Sequence, residues 1–189
     1  METYSGISKH AFPKRFANEI TNLNLMLKLK SRYEDSRAFD VIVEDQLIKI
    51  PCRIYCEETD YKTIHELTDL QRLILFCYFT RHHNGFVREK YLKKVIAFDE
   101  EWIIPYVIQL LSEYIREIHA ELLSKKNVIT SNNYIKFINH NKEFYLKTKQ
   151  RVFSYWNCNY RTVDKNEYES IQVIKYIDNL IKAHKANSK

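Results

Sequence analysis

The sequence predicts a mainly α-helical fold, a bundle or array of five to six helices with a small β-hairpin near residues 39–55. Three observations predict it. The chain has 2 Gly and 3 Pro in 189 residues, where average usage would put about 7% and 5%, so sandwiches, barrels and Rossmann-type sheets that spend glycine on tight turns and phosphate loops are disfavoured. Apolar residues recur three and four apart through most of the chain, the spacing that gathers them on one helix face. Between Phe39 and Tyr55 the period drops to two, the mark of a half-buried strand. A chain of this length with 45% hydrophobic residues can build a core without disulfides or metal. One domain over 1–189 is expected, with a secondary division into a helical core carrying the hairpin, 1–126, and a basic, aromatic-rich helical pair, 127–189.

A first helix is expected over 14–30, with Phe16, Ile20, Leu23 and Leu27 inward and Lys28 and Lys30 at the negative end of its dipole. In the hairpin, Val41 and Val43 alternate with Ile42 and Glu44, and Leu47, Ile48 and Ile50 lead to Pro51. β-Branched residues flank Glu44-Asp45-Gln46, although no Asn-Gly or Asp-Gly marks the turn. Thr68-Asp69-Leu70-Gln71 has the capping-box spacing, and the helix it opens is expected over 69–83 with Leu70, Leu73, Ile74 and Cys77 inward and Leu75, Phe76 and Phe79 extending the apolar surface most of the way round. Asn84-Gly85 reads as a left-handed stop. A helix over 87–96 then buries Val87, Tyr91, Leu92 and Val95, completing an antiparallel helical hairpin. Pro105 suits the first position of the next helix, whose stripe is Val107, Leu110, Leu111, Tyr114, Ile118 and Leu122, with Glu113, Glu117 and Glu121 opposite. A long helix is expected over 132–155. Asp164 and Glu167, flanked by Val163 and Tyr168, read as a second capping box with a hydrophobic staple. The last helix follows on Ile171, Ile174, Tyr176, Ile177 and Ile181.

The longest apolar run, Leu73 to Phe79, is far shorter than the roughly 18 residues of a membrane span, so no membrane partner is expected. The first ten residues lack the apolar stretch of a secretory signal. Cysteines at 52, 56, 77 and 158 form no CxxC pair and read as reduced thiols, which makes the expected location cytoplasmic.

Chemistry is concentrated in Thr80-Arg81-His82-His83-Asn84-Gly85-Phe86-Val87-Arg88. His82 or His83 with Glu113 and Glu117 form the candidate catalytic set of a metal-dependent or hydrolytic enzyme. Against it, adjacent histidines point about 100° apart on a helix, and Glu117-Ile118-His119 is one residue short of the Glu-x-x-His of carboxylate-bridged metal bundles. Cys52, Cys56 and His65 supply only part of a zinc set. No metal or cofactor is expected, since no phosphate loop, Gly-rich fingerprint or nucleophile elbow occurs. The competing reading makes this segment a helix end whose Arg and His satisfy terminal carbonyls, with Arg88 paired to Glu113 or Glu117 as a structural ion pair.

Gly-Phe-Val-Arg-Glu-Lys-Tyr-Leu at 85–92 resembles the second helix of a HEAT-type repeat, a likeness that covers 68–96 and implies a HEAT-like packed helix pair and a binding surface, with nothing catalytic. The Thr-Arg-His-His-x-Gly-Phe-Val-Arg segment, followed by Trp102-x-x-Pro105-Tyr106, is similar to that of small bacterial α-helical proteins. This likeness implies no activity and transfers no site.

Charge is uneven along the chain. Residues 124–189 carry 13 Lys and Arg against 5 Asp and Glu, whereas 1–123 carry 17 against 19. Lys142, Lys147, Lys149, Arg151 and Arg161 interleave with Phe144, Tyr145, Phe153, Tyr155, Trp156 and Tyr160, the mixture that neutralises phosphates and stacks on bases. Tyr134, Ile138, Tyr145, Val152 and Trp156 also fall near helical spacing, which would make them core and leave the lysines a solvated face. The functional expectation is a helical binding or adaptor protein with a protein partner. Nucleic-acid binding by the basic third and the enzyme above are the alternatives, and a homodimer through the long Tyr-rich helix is a further option.

Overall fold

The computed structural model describes residues 6–32, 37–129 and 131–187. Among these the chain is mainly helical, with nine α-helices and one two-stranded antiparallel sheet. It divides into two compact units, Met1–Val95 and Ile96–Lys189, so the helices over 132–187 share a unit with the acidic segment before them.

In the N-terminal unit, single 3₁₀ turns at Lys9–Ala11 and Lys14–Phe16 lead into α1 (Ala17–Leu27). Phe16, Ile20 and Leu23 are buried as the spacing predicts. The Asn24 side chain holds the incoming chain by accepting from the Ile7 amide (2.6 Å) and donating to its carbonyl (3.0 Å). α1 stops at Lys28, which takes a left-handed conformation (φ 47°) without the help of a glycine. Beyond it Leu29 and Ser31 turn inward and Lys30 and Arg32 outward, the alternation of an extended strand.

The hairpin forms as β1 (Ala38–Val43) and β2 (Gln46–Pro51), with Val43 opposite Gln46. Its two-residue turn is Glu44-Asp45, both at positive φ (50° and 59°), as the turn type matched to strand twist requires. Arg15 holds Glu44 through two bonds of 2.9 and 2.6 Å. Val41, Val43, Ile48 and Ile50 line the inner face.

After α2 (Tyr61–Glu66), the capping box forms as predicted and opens α3 (Asp69–Phe79). Its buried face is Gln71, Ile74, Leu75, Cys77, Tyr78 and Phe79, with Leu70 and Leu73 only half-buried. Burial of Leu75 and Phe79 beside Ile74 and Cys77 follows the extended apolar surface, and Gln71, held in the capping box, also donates to Glu19 (3.1 Å). The helix ends at Phe79, before the expected residue 83, because Ile54 intervenes. Its amide donates to the Arg81 carbonyl, and its carbonyl accepts from the His83 amide, both at 2.9 Å. Asn84 then acts at the start of α4 (Gly85–Val95) and not as a stop for α3. Its side chain accepts from the Phe86 amide (2.9 Å), which is N-cap geometry.

In the C-terminal unit the helix expected from Pro105 is two, α5 (Ile104–Leu110) and α6 (Arg116–Ser124). Between them the Ser112 hydroxyl donates to the Gln109 carbonyl (2.8 Å) and Ile115 is extended, so Glu113 turns inward (2% exposed) and Tyr114 outward (53%). The long Tyr-rich helix is also two, α7 (Asn132–His140) and α8 (Lys142–Asn159). Asn141 is buried at the break and gives both its backbone N–H (3.0 Å) and its side-chain amide (2.9 Å) to the Phe137 carbonyl. Asp164 and Glu167 form a turn in place of a capping box: Asp164 Oδ1 accepts from the Asn166 amide (2.7 Å), and α9 (Glu169–Asn187) starts after it. α6 packs on α9, where Arg116 and Glu169 pair, and α8 packs on α9, where Lys149 meets Asp178.

An L-residue in the left-handed region costs about 1 kcal/mol relative to glycine, less the chain entropy that glycine adds to the unfolded state. Asp45→Gly should therefore stabilise the protein by about 0.5 kcal/mol, read as a rise of about two degrees in Tm. A drop in Tm would mean that the Asp45 side chain makes a turn contact worth more than the strain.

Candidate functional site

The junction between α3 and α4 positions both histidines of the candidate catalytic set. His82 is buried (4% exposed), and Nε2 bonds the Cys56 carbonyl (2.8 Å) while Nδ1 accepts from the Asn84 amide (3.1 Å). These partners assign the neutral tautomer with its proton on Nε2. Burial lowers the His82 pKa, against the bond to Cys56 that raises it. Both ring nitrogens of His82 are thus engaged by backbone groups. His83 is exposed, and its ring stacks on Tyr55 with centroids 5.3 Å apart and planes 16° from parallel. Arg88, fully buried, donates from Nη1 to the carbonyls of His82 (2.8 Å) and His83 (2.9 Å). Arg81, also fully buried, gives Nη2 to the Thr80 carbonyl.

Glu113 and Glu117 lie in the other unit from His82 and His83. Glu113 is buried and its backbone carbonyl accepts from His119 Nε2 (2.9 Å), whereas Glu117 is exposed on the first turn of α6. His119 is fully buried, edge-on to Tyr168 at 5.3 Å, and burial pushes its pKa down to about 4, outweighing the bond to Glu113. No three His, Cys, Asp or Glu among the described residues come together as a metal site. Of the zinc candidates, burial pushes the Cys56 thiol up to about 12, and His65 sits edge-on to Tyr61 at 4.2 Å.

The basic residues of the C-terminal third divide by role. Lys142, Lys147, Arg151 and Arg161 are exposed. Lys149 is half-buried, with Nζ 3.1 and 3.2 Å from the Asp178 carboxylate and 4.8 Å from the Tyr145 ring centre, so it ties α8 to α9. The aromatics are largely packed inside the unit. Phe144 and Tyr145 are buried, and Lys165 lies over Phe153 (4.6 Å) and Trp156 (5.7 Å). Trp156 gives its indole N–H to the Val163 carbonyl (3.0 Å), and the Tyr160 hydroxyl bonds the Tyr114 carbonyl (2.6 Å). Folding also removes the charge asymmetry, because Ile96–Lys189 carries 14 Lys and Arg against 11 Asp and Glu, and Met1–Val95 carries 16 against 13.

A groove of about 1090 Å³ opens in the N-terminal unit. Its lining includes Lys28, Lys30 and Arg32, and no ion pair engages any of the three among the described residues. It also includes Glu57, Glu58 and Asp60. Burial works against ionisation of Glu58, but bonds from Lys90 and from the Tyr91 hydroxyl (2.8 Å) outweigh it and hold the carboxyl below its usual value. Asp60 caps α2 through the Thr63 amide (3.1 Å) and hydroxyl (2.6 Å). Tyr55 and His83 line the same groove. The backbones of Arg32 and Tyr55 exchange two hydrogen bonds (3.0 and 2.8 Å) as an antiparallel pair, which sets their side chains on one face. Sequence reasoning passed over these cations by assigning Lys28 and Lys30 to a helix end. The signal that could have found them is the alternation Lys28-Leu29-Lys30-Ser31-Arg32.

Comparison with protein-family models, with curated protein sequences and with solved structures gives no match for this chain.

His119 sets a pH dependence. Its folded pKa lies below the unfolded value of 6.5, so its stabilising contribution is complete above about pH 6.5 and is lost as the pH falls toward 4. At about 1.4 kcal/mol per pKa unit this amounts to about 3 kcal/mol between pH 7 and pH 4. Urea unfolding across that range should show a shallower pH dependence for His119→Gln than for the unchanged protein. Equal pH slopes would mean that folded His119 accepts its proton.

Proposed function

We propose that this chain is a non-catalytic binding protein, an adaptor that meets another macromolecule through the groove of its N-terminal unit. The observation that carries this reading is a contrast within that unit. Both ring nitrogens of His82 are spent on backbone groups, whereas Lys28, Lys30 and Arg32 line a cavity of about 1090 Å³ with no ion pair among the described residues. Three cations kept close on one short segment repel one another, and a ligand carrying negative charge relieves that repulsion. A HEAT-like arrangement of α3 and α4 belongs to the same reading, because packed helix pairs present surfaces. The enzyme reading lacks a free base at His82, and the groove needs no cofactor to bind its partner.

A second reading, nucleic-acid contact by the C-terminal third, is favoured by the exposure of Lys142, Lys147, Arg151 and Arg161. Lys147 and Arg151 are four apart on α8 and share one face. Phe144 and Tyr145 are buried, and the ring nearest that face is Tyr155, half-buried beside Tyr114 with centroids 6.3 Å apart.

A photo-crosslinking amino acid at position 55 of the full chain, irradiated in cells of its source, separates these readings. The expected result is a discrete high-mass adduct that disappears when Lys30→Glu and Arg32→Glu are combined and persists with Lys147→Glu and Arg151→Glu. Absence of an adduct, or an adduct that follows Lys147 and Arg151, overturns the groove reading.

A further inference from the structure

We infer that the ligand of the N-terminal groove is a phosphorylated nucleoside, its base stacked on Tyr55 and its phosphate held by Arg32 and Lys30. The inference rests on the reading of the groove as the binding site and supplies the chemistry of its occupant.

The first support is a built stacking platform. Tyr55 and His83 stack with planes 16° apart, and His83 continues onto His82 at 4.3 Å. The stack is anchored from below: both His82 ring nitrogens are bonded, and the His83 amide is fixed to the Ile54 carbonyl at 2.9 Å. The outermost ring, Tyr55, is 45% exposed. A preset exposed aromatic ring offers a base a π-face with little ordering cost, and such stacking is tolerant of base identity.

The second is the position of the cations. Arg32 and Tyr55 are a hydrogen-bonded antiparallel pair, so the guanidinium starts from the same face as the ring. Lys30, two residues earlier on the extended segment, points to the same side. A planar fork and a flexible ammonium together suit a phosphate beside a stacked base.

The third is the set of acids in the same lining, Glu57, Glu58 and Asp60, which decides between a nucleotide and an acidic peptide. Glu58 is engaged by Lys90 and Tyr91, and Asp60 by Thr63. Glu57 is exposed and makes no hydrogen bond or ion pair among the described residues. A peptide of acidic side chains would face these carboxylates along its length. A nucleotide confines its negative charge to the phosphate at Lys30 and Arg32 and offers base amines and ribose hydroxyls to Glu57. At about 1090 Å³ the groove admits more than one nucleotide, so a free nucleotide and a single strand are both possible sources.

The test is fluorescence anisotropy of the full chain at about 50 mM salt with a fluorescent adenine nucleotide and with single-stranded RNA and DNA of about ten nucleotides. Inorganic phosphate, ribose 5-phosphate and an oligoglutamate peptide serve as competitors. The expected result is binding that Tyr55→Leu and Arg32→Gln each weaken about tenfold, that Tyr55→Trp retains, and that Lys147→Gln with Arg151→Gln leaves unchanged. Thermal melts by circular dichroism check that each variant is folded, and Tyr55→Trp keeps the ring test intact should Tyr55→Leu not be. A strand that binds far more tightly than the mononucleotide identifies single-stranded nucleic acid as the source, and equal affinities identify the free nucleotide and overturn the macromolecular reading of the groove while leaving the nucleotide inference standing. The inference is overturned if neither probe binds, if phosphate or ribose 5-phosphate competes as well as unlabelled nucleotide, or if oligoglutamate displaces the probe. In any of those cases an adduct from position 55 still supports the groove as a binding site with a different occupant.

Discussion

The guanidinium of Arg88 is fully buried, and from Nη1 it bonds the carbonyls of His82 and His83. Those carbonyls follow the end of α3, where backbone acceptors have lost their helical partners. On the far side Ile54 bonds the Arg81 carbonyl and the His83 amide, so the turn between α3 and α4 is gripped by a charged side chain and by backbone. Charged donors to buried carbonyls are among the stronger hydrogen bonds a protein makes. The arrangement orients His82, brings His83 against Tyr55 and, through the pairing of Tyr55 with Arg32, sets one end of the groove. The segment richest in reactive side chains thus builds the turn between α3 and α4, and the groove opens beside it.

Scarcity of glycine shapes the connections. With 2 Gly in the chain, three of the four positive-φ positions among the described residues fall to Lys28, Glu44 and Asp45, Gly6 being the fourth, and helix starts are capped by the side chains of Asp60, Thr68, Asn84 and Ser131. The stop at Lys28 turns the chain from helix into a segment on which Lys30 and Arg32, exposed, alternate with Leu29 and Ser31, buried, and both cations line the groove.

Electrostatics explains why a basic third need not be a basic surface. Glu101 receives Lys136 at 3.2 Å, Arg116 pairs with Glu169, and Lys149 is drawn onto Asp178. Exposed pairs of this kind add little stability, but they consume cations that a linear count leaves available. The groove of the N-terminal unit has the opposite character: its cations lack ion pairs among the described residues, while two of its three acids are engaged.

Local pattern alone determined the helical class, the hairpin with its inward Val41 and Val43, the capping box at Thr68 and Gln71, and the buried face of α4, because each depends on neighbours within a few residues. Tertiary structure decided where periodic stretches break. Asn141 and the stretch over 111–115 interrupt helices whose apolar spacing runs straight through, since side-chain bonds to the Phe137 and Gln109 carbonyls end a helix without altering its stripe. It also decided which charged and reactive groups are spent. His82 and His83 are adjacent and chemically identical, yet Cys56 and Asn84 occupy the first and leave the second exposed against Tyr55. The pairing of Arg32 with Tyr55 and of Ile54 with the α3–α4 turn joins segments more than twenty residues apart. No periodicity in the chain encodes such a contact, because its energy comes from backbone groups that every residue carries alike.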